Sequence, residues 1–186
     1  MKTKTVAAII VFAALAIALN LSPIKIPAPY APYLVYQIWE IPIVTAFLLF
    51  GTTVGVLITM VNTLALFAYY PGALPTGPLY NLAAVLSTLL GIGLTKTLLR
   101  KHPATHEATV GTLYTASGVA TRAVLMALVN YTFLRFPPPV GYGYAQEAVI
   151  AALPFVIIFN ITLALYTIPI GYSLAKIVES NLKTLK

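Results

Sequence analysis

Five apolar runs, at residues 5–21, 43–70, 79–99, 110–134 and 148–174, fill most of this chain, and proline, glycine, tyrosine and basic residues crowd the gaps between them. A helix needs roughly 20 mostly apolar residues to cross a bilayer core, and helices are one of the few structures that satisfy their own backbone in hydrocarbon. These runs point to an all-α, polytopic integral membrane protein with about six transmembrane helices, forming a single domain over residues 1–186. The composition agrees: 60% of the residues are hydrophobic and 8% charged, where soluble domains carry about 25% charged residues. No length remains for a soluble catalytic domain.

The run at 43–70 is long for one span and short for two. Gly51, Thr52, Thr53 and Gly55 interrupt it, so we expect two short spans joined by a tight turn near Gly51, with one long tilted helix as the alternative. The run at 5–21 follows Lys2 and Lys4 like a secretory signal, but it lacks a clean small-residue cleavage site and more spans follow it. A retained first helix is expected. Between residues 22 and 42, Pro23, Pro27, Pro29, Pro32 and Pro42 alternate with Tyr30, Tyr33, Tyr36 and Trp39. Each proline removes a backbone donor and biases its predecessor towards extended geometry, so this segment should not be helical. Its aromatic rings suit a membrane interface, and it is long enough to fold back over a cavity. Pro154 and Pro169 are expected to break the last span.

The net charge of +7 does not point to nucleic acid, because the basic residues cluster at the ends of apolar runs, where they set topology. Lys2, Lys4, Lys96, Arg100, Lys101, Lys176, Lys183 and Lys186 fall on one side of a six-span arrangement, and Lys25 and Arg135 fall on the other with Glu40 and Glu147. Both termini are therefore expected in the cytoplasm. The absence of cysteine excludes disulfides, thiolate nucleophiles and cysteine metal sites.

Polar residues inside spans mark either helix packing or a cavity. Asn62, Asn81, Asn130 and Asn160 lie in or beside four apolar runs, with Tyr69, Tyr80 and Tyr131 nearby. Any one asparagine is equally explained by a bond to a neighbouring helix; four placed towards one side suit a shared pocket for a flat heterocycle, which needs stacking and a few aimed hydrogen bonds. They suit a cation poorly. Glu40 is either an interfacial acid at a helix start or a ligand contact. Arg122, inside a span, needs a partner or must snorkel, and a structural role is expected. Ala14 and Ala18 share a helical face and allow close approach of another helix, from this chain or another. His102, His106 and Glu107 read as a solvated loop, with no third metal ligand evident. No catalytic set and no metal site can be assembled.

The segment Ile24-Lys25-Ile26-Pro27-Ala28-Pro29-Tyr30-Ala31-Pro32-Tyr33, then Glu40-Ile41-Pro42, Phe50-Gly51 and Gly55, resembles the riboflavin-type S components of energy-coupling factor transporters. The likeness continues through residues 77–81, Asn130-Tyr131 and residues 154–160. The resemblance implies a six-helix bundle whose first loop caps an outward-facing pocket for a vitamin, with no cofactor and no catalysis of its own. Tyr33, Trp39, Glu40, Asn62, Asn81, Asn130, Tyr131 and Asn160 would face the ligand. Ala14 and Ala18 would dock on a transmembrane coupling subunit driven by two ATPase subunits. The chain departs from the family pattern at Thr52, where proline is usual, at Asn62, near a frequent lysine, and after Phe159-Asn160, where a lysine often follows. The ligand is thus riboflavin, a related flavin or another vitamin. A different small membrane transporter or a membrane-embedded enzyme is the alternative.

Overall fold

The computed structural model describes residues 3–69, 74–101 and 106–184, with the side chains of 182–184 not described. It contains six helices and one small hairpin. Helix α1 is Thr3–Leu21; strands β1 (Ile26–Ala28) and β2 (Ala31–Tyr36) follow; then come α2 (Glu40–Phe50), α3 (Thr52–Tyr69), α4 (Gly77–Lys101), α5 (Glu107–Phe133) and α6 (Gln146–Thr184). Five of the helices are long and apolar enough to cross a membrane, and α2 is the short exception. The protein is an all-α polytopic membrane protein. Its outward residues match that solvent: Ile10, Leu64, Leu98 and Val124 are large, apolar and exposed on the bundle surface.

The turn expected near Gly51 is present, and the long single helix is not. Gly51 has φ +96°, a left-handed conformation that a side chain disfavours. Its N–H closes α2 by donating to Phe47 O at 3.0 Å, and its carbonyl accepts from Gly55 N at 3.2 Å to open α3. Lys96 of α4 secures the junction, with its Nζ donating to Leu48 O at 3.1 Å. A cation there satisfies an orphan carbonyl and complements the helix dipole. A Cβ on Gly55 would lie 2.8 Å from the Phe47 Cβ, so glycine is what lets α3 fold tightly back on α2.

The segment after α1 is non-helical, as its prolines imply, and it forms an antiparallel hairpin, with Ile26 opposite Tyr36 and Pro27 opposite Val35. Two expectations need correction. Pro42 does not lie in that segment. It sits in the first turn of α2, where a missing N–H has no intrahelical acceptor to lose. Nor do Pro154 and Pro169 break the last span, because α6 runs through both and continues to Thr184. Membrane helices tolerate prolines whose freed carbonyls find other partners.

Successive helices alternate in direction, so Thr3 and Thr184 lie at the end of the bundle that also holds Gly51, and the hairpin lies at the other. Lys4, Lys96, Arg100, Lys101 and Lys176 fall at the Gly51 end and Lys25 and Arg135 at the hairpin end. The core joins α1, α2, α3, α4, α5 and α6 through Ala16, Phe47, Ile58, Ile92, Tyr114 and Ile168.

Candidate functional site

Glu40 opens α2 with no side-chain cap before it. An acid in a first turn is favoured by the helix dipole, but this one is also only 2% exposed. Arg122, midway along α5, meets it in a two-pronged ion pair: Nη1 donates to Oε2 at 2.5 Å and Nη2 to Oε1 at 3.0 Å. The guanidinium Nε donates to Asn160 Oδ1 of α6 at 2.8 Å, and Nη1 reaches the Thr88 hydroxyl of α4 at 3.3 Å. The Asn160 amide in turn donates to Val156 O. Four helices thus meet in one buried polar layer, with the two charges neutralising each other. A pair this deep is held because each charge would cost several kcal/mol if left alone.

The hairpin is fastened to α6. The Tyr36 and Thr162 hydroxyls lie 2.6 Å apart, and Tyr166 donates to Gln37 O at 2.6 Å. Tyr30 and Tyr36 share a further hydroxyl bond at 2.5 Å. Burial, then that bond, pushes the Tyr30 phenol above its ordinary pKa. Phe159 packs on Tyr36 at 4.9 Å between ring centres. Beside these contacts a groove of 390 Å³ is lined by Ile24, Ile26, Tyr36, Gln37, Ile38, Thr162 and Tyr166. Its size falls within the roughly 300–1,000 Å³ of small-molecule sites.

The residues singled out in the sequence separate into groups. Glu40 and Asn160 meet at Arg122, and the adjoining Trp39 is buried. Asn62 of α3 is 1% exposed, and neither its amide nitrogen nor its oxygen has a hydrogen-bond partner among the described residues. Asn130 is buried and donates to Met126 O at 2.7 Å. Tyr131 is half-buried beneath Arg135, whose guanidinium carbon is 4.6 Å from the ring centre, and Asn81 is half-buried near the start of α4. Neither Asn81, Asn130 nor Tyr131 bonds to the Arg122 cluster in any described contact. Tyr33, on β2, is 67% exposed at the rim. Ala14 and Ala18 lie on the exposed side of α1. His106 is exposed and His102 falls outside the described residues; among the described residues, no group of His, Cys, Asp and Glu could hold a metal ion.

Sequence reasoning treated Glu40 and Arg122 separately. Part of the signal was legible in hindsight, since an arginine inside a span demands an acid; which acid was not, because Glu40, Glu107 and Glu147 each stand in the first turn of a helix. The roles of Tyr36, Thr162 and Tyr166 carried no such signal.

No protein-family model matches the chain, and no curated protein matches it. Among solved structures, the fold is similar to that of the S component of a bacterial ECF transporter, with a TM-score of 0.73 and 24% sequence identity, over 96% of this chain and 99% of that one.

Proposed function

We propose that this protein is the substrate-binding S component of an energy-coupling factor importer, taking up a vitamin, with riboflavin or a related flavin as the first candidate. The likeness of fold over nearly the whole of both chains is the observation that carries this reading. The buried Asn62 amide, without a partner among the described residues, supports it, because a carrier for a polar organic solute needs aimed hydrogen bonds inside an apolar scaffold. In this reading the subunit catalyses nothing, and two ATPase subunits and a transmembrane coupling subunit supply the work. It sits in the cell membrane with the Gly51 end and both termini in the cytoplasm, as the clustered lysines favour. Trp39, Glu40, Asn62, Asn81, Asn130, Tyr131 and Asn160 form the ligand site, with Tyr33 at its rim. The exposed face of α1 bearing Ala14 and Ala18 receives the coupling subunit.

The test is a purification in mild detergent, a scan for co-purified flavin, and a titration of ligand-free protein with riboflavin. We expect a yellow protein or flavin fluorescence quenched at nanomolar riboflavin. A colourless protein that ignores riboflavin removes the flavin assignment and turns the titration to other vitamins. A protein that binds no vitamin and recruits no ATPase module ends the S-component reading.

A further inference from the structure

Asn62 belongs to the polar layer by depth, although it bonds to none of its members. Phe47 of α2 lies against Gly55 of α3, across the tight turn at Gly51. In an antiparallel pair, steps back along one helix match steps forward along the other at the same rise. Going from Phe47 back to Glu40 therefore corresponds to going from Gly55 on to Asn62. The count from α4 agrees. Phe47 also lies against Gly93 of α4, and the same reversed stepping from Gly55 and Gly93 brings Asn62 level with Leu86, next to Ser87. Asn62 also lies on the inward stripe of α3 with Val54, Ile58 and Leu66, all buried.

The layer's other polar side chains are committed to one another. Arg122 is spent on Glu40, Asn160 and Thr88, and the pair leaves no net charge. Among the described residues, the carboxamide of Asn62 keeps both its donor and its acceptor unused. Burying such a group without partners is unfavourable, and threonines on the same helix do not share its fate: Thr59 and Thr63 donate to carbonyls one turn back. An amide that offers N–H and C=O side by side is complementary to one ligand feature, a neighbouring acceptor and donor on the same edge.

Resting on the S-component reading above, we propose that Asn62 is the ligand-reading side chain of this layer, and that it selects an uncharged heterocycle bearing an amide-like edge, such as a cyclic imide or lactam. The neutralised ion pair beside it leaves no free charge to attract an anionic ligand.

The test compares the full-length wild type with Asn62→Leu in detergent, using riboflavin, N3-methylriboflavin and pyridoxine as probes and thermal melting of the ligand-free proteins as a control. Riboflavin offers an imide edge, its N3-methyl derivative has lost that edge's donor, and pyridoxine has no amide edge. We expect wild type to prefer riboflavin over the methylated probe at least tenfold. Asn62→Leu should weaken riboflavin binding at least tenfold, erase that preference, and melt no lower than wild type, since leucine removes an unpaired amide from an apolar setting. Equal riboflavin affinity in the two proteins overturns the proposal. So does a variant that melts markedly lower, which would assign Asn62 to packing, or a wild type that binds pyridoxine and not riboflavin. A wild type that binds no vitamin sinks the parent reading instead.

Discussion

The two halves of this bundle are built from different chemistry. At the Gly51 end, helices are drawn together by glycines against apolar side chains: Gly55 against Phe47, Gly118 against Ile168 and Gly171 against Val44. At the hairpin end, the same helices carry Glu40, Asn62, Thr88, Arg122 and Asn160 inward, and a non-helical segment is fastened to α6. One half is apolar and close-packed, and the other is polar. The difference teaches that apolar packing and buried polar pairing have been kept apart along the membrane normal, so that substitutions in one half should be readable separately from those in the other.

The largest expected effect tests the polar half. Glu40→Leu leaves Arg122 charged, buried and alone, which should cost about 3–5 kcal/mol and lower the melting temperature sharply. The double variant Glu40→Leu with Arg122→Leu should recover most of that loss. A single variant that melts with the parent would show that the pair carries little, and the contrast between the halves would collapse. A smaller effect tests the packed half. In Gly91→Ala the added methyl would lie 2.5 Å from the Ser117 carbonyl oxygen, and overpacking of this kind costs about 1–3 kcal/mol. Melting should fall while ligand affinity, read by titration, stays at the parent value; a drop in affinity without a drop in melting would reverse the assignment of roles. The smallest stability effect lies outside both halves. Ala14→Leu on the exposed side of α1 should change stability by less than about 0.5 kcal/mol yet, on the proposed S-component function, abolish co-purification with the coupling subunit. Intact assembly would remove α1 as the docking face.

The helices were legible in the sequence because hydrocarbon leaves the backbone few choices. The turn at Gly51 was legible for a similar reason, since glycines and threonines interrupted a run too long for one crossing. The hairpin was half legible: its prolines ruled out a helix, but the pairing of Ile26 with Tyr36 depends on contacts with α6 that no local pattern encodes. The continuity of α6 through Pro154 and Pro169 was missed because proline rules drawn from water overstate its power to end a helix in lipid. At the site, residue types were readable and partners were not. Arg122 and Glu40 are 82 residues apart in sequence, and Lys96, taken only as a topology marker, also caps the carbonyl of Leu48.

The distance along the chain between Glu40 and Arg122 also governs how the protein can be made. Helices leave the ribosome in order, so α2 emerges with an acid whose only basic partner will not exist until α5 has been synthesised. Until then Glu40 lacks its arginine, and α6, which supplies Thr162 and Tyr166, comes later still. The fastening of the hairpin therefore cannot precede synthesis of the carboxy-terminal helix.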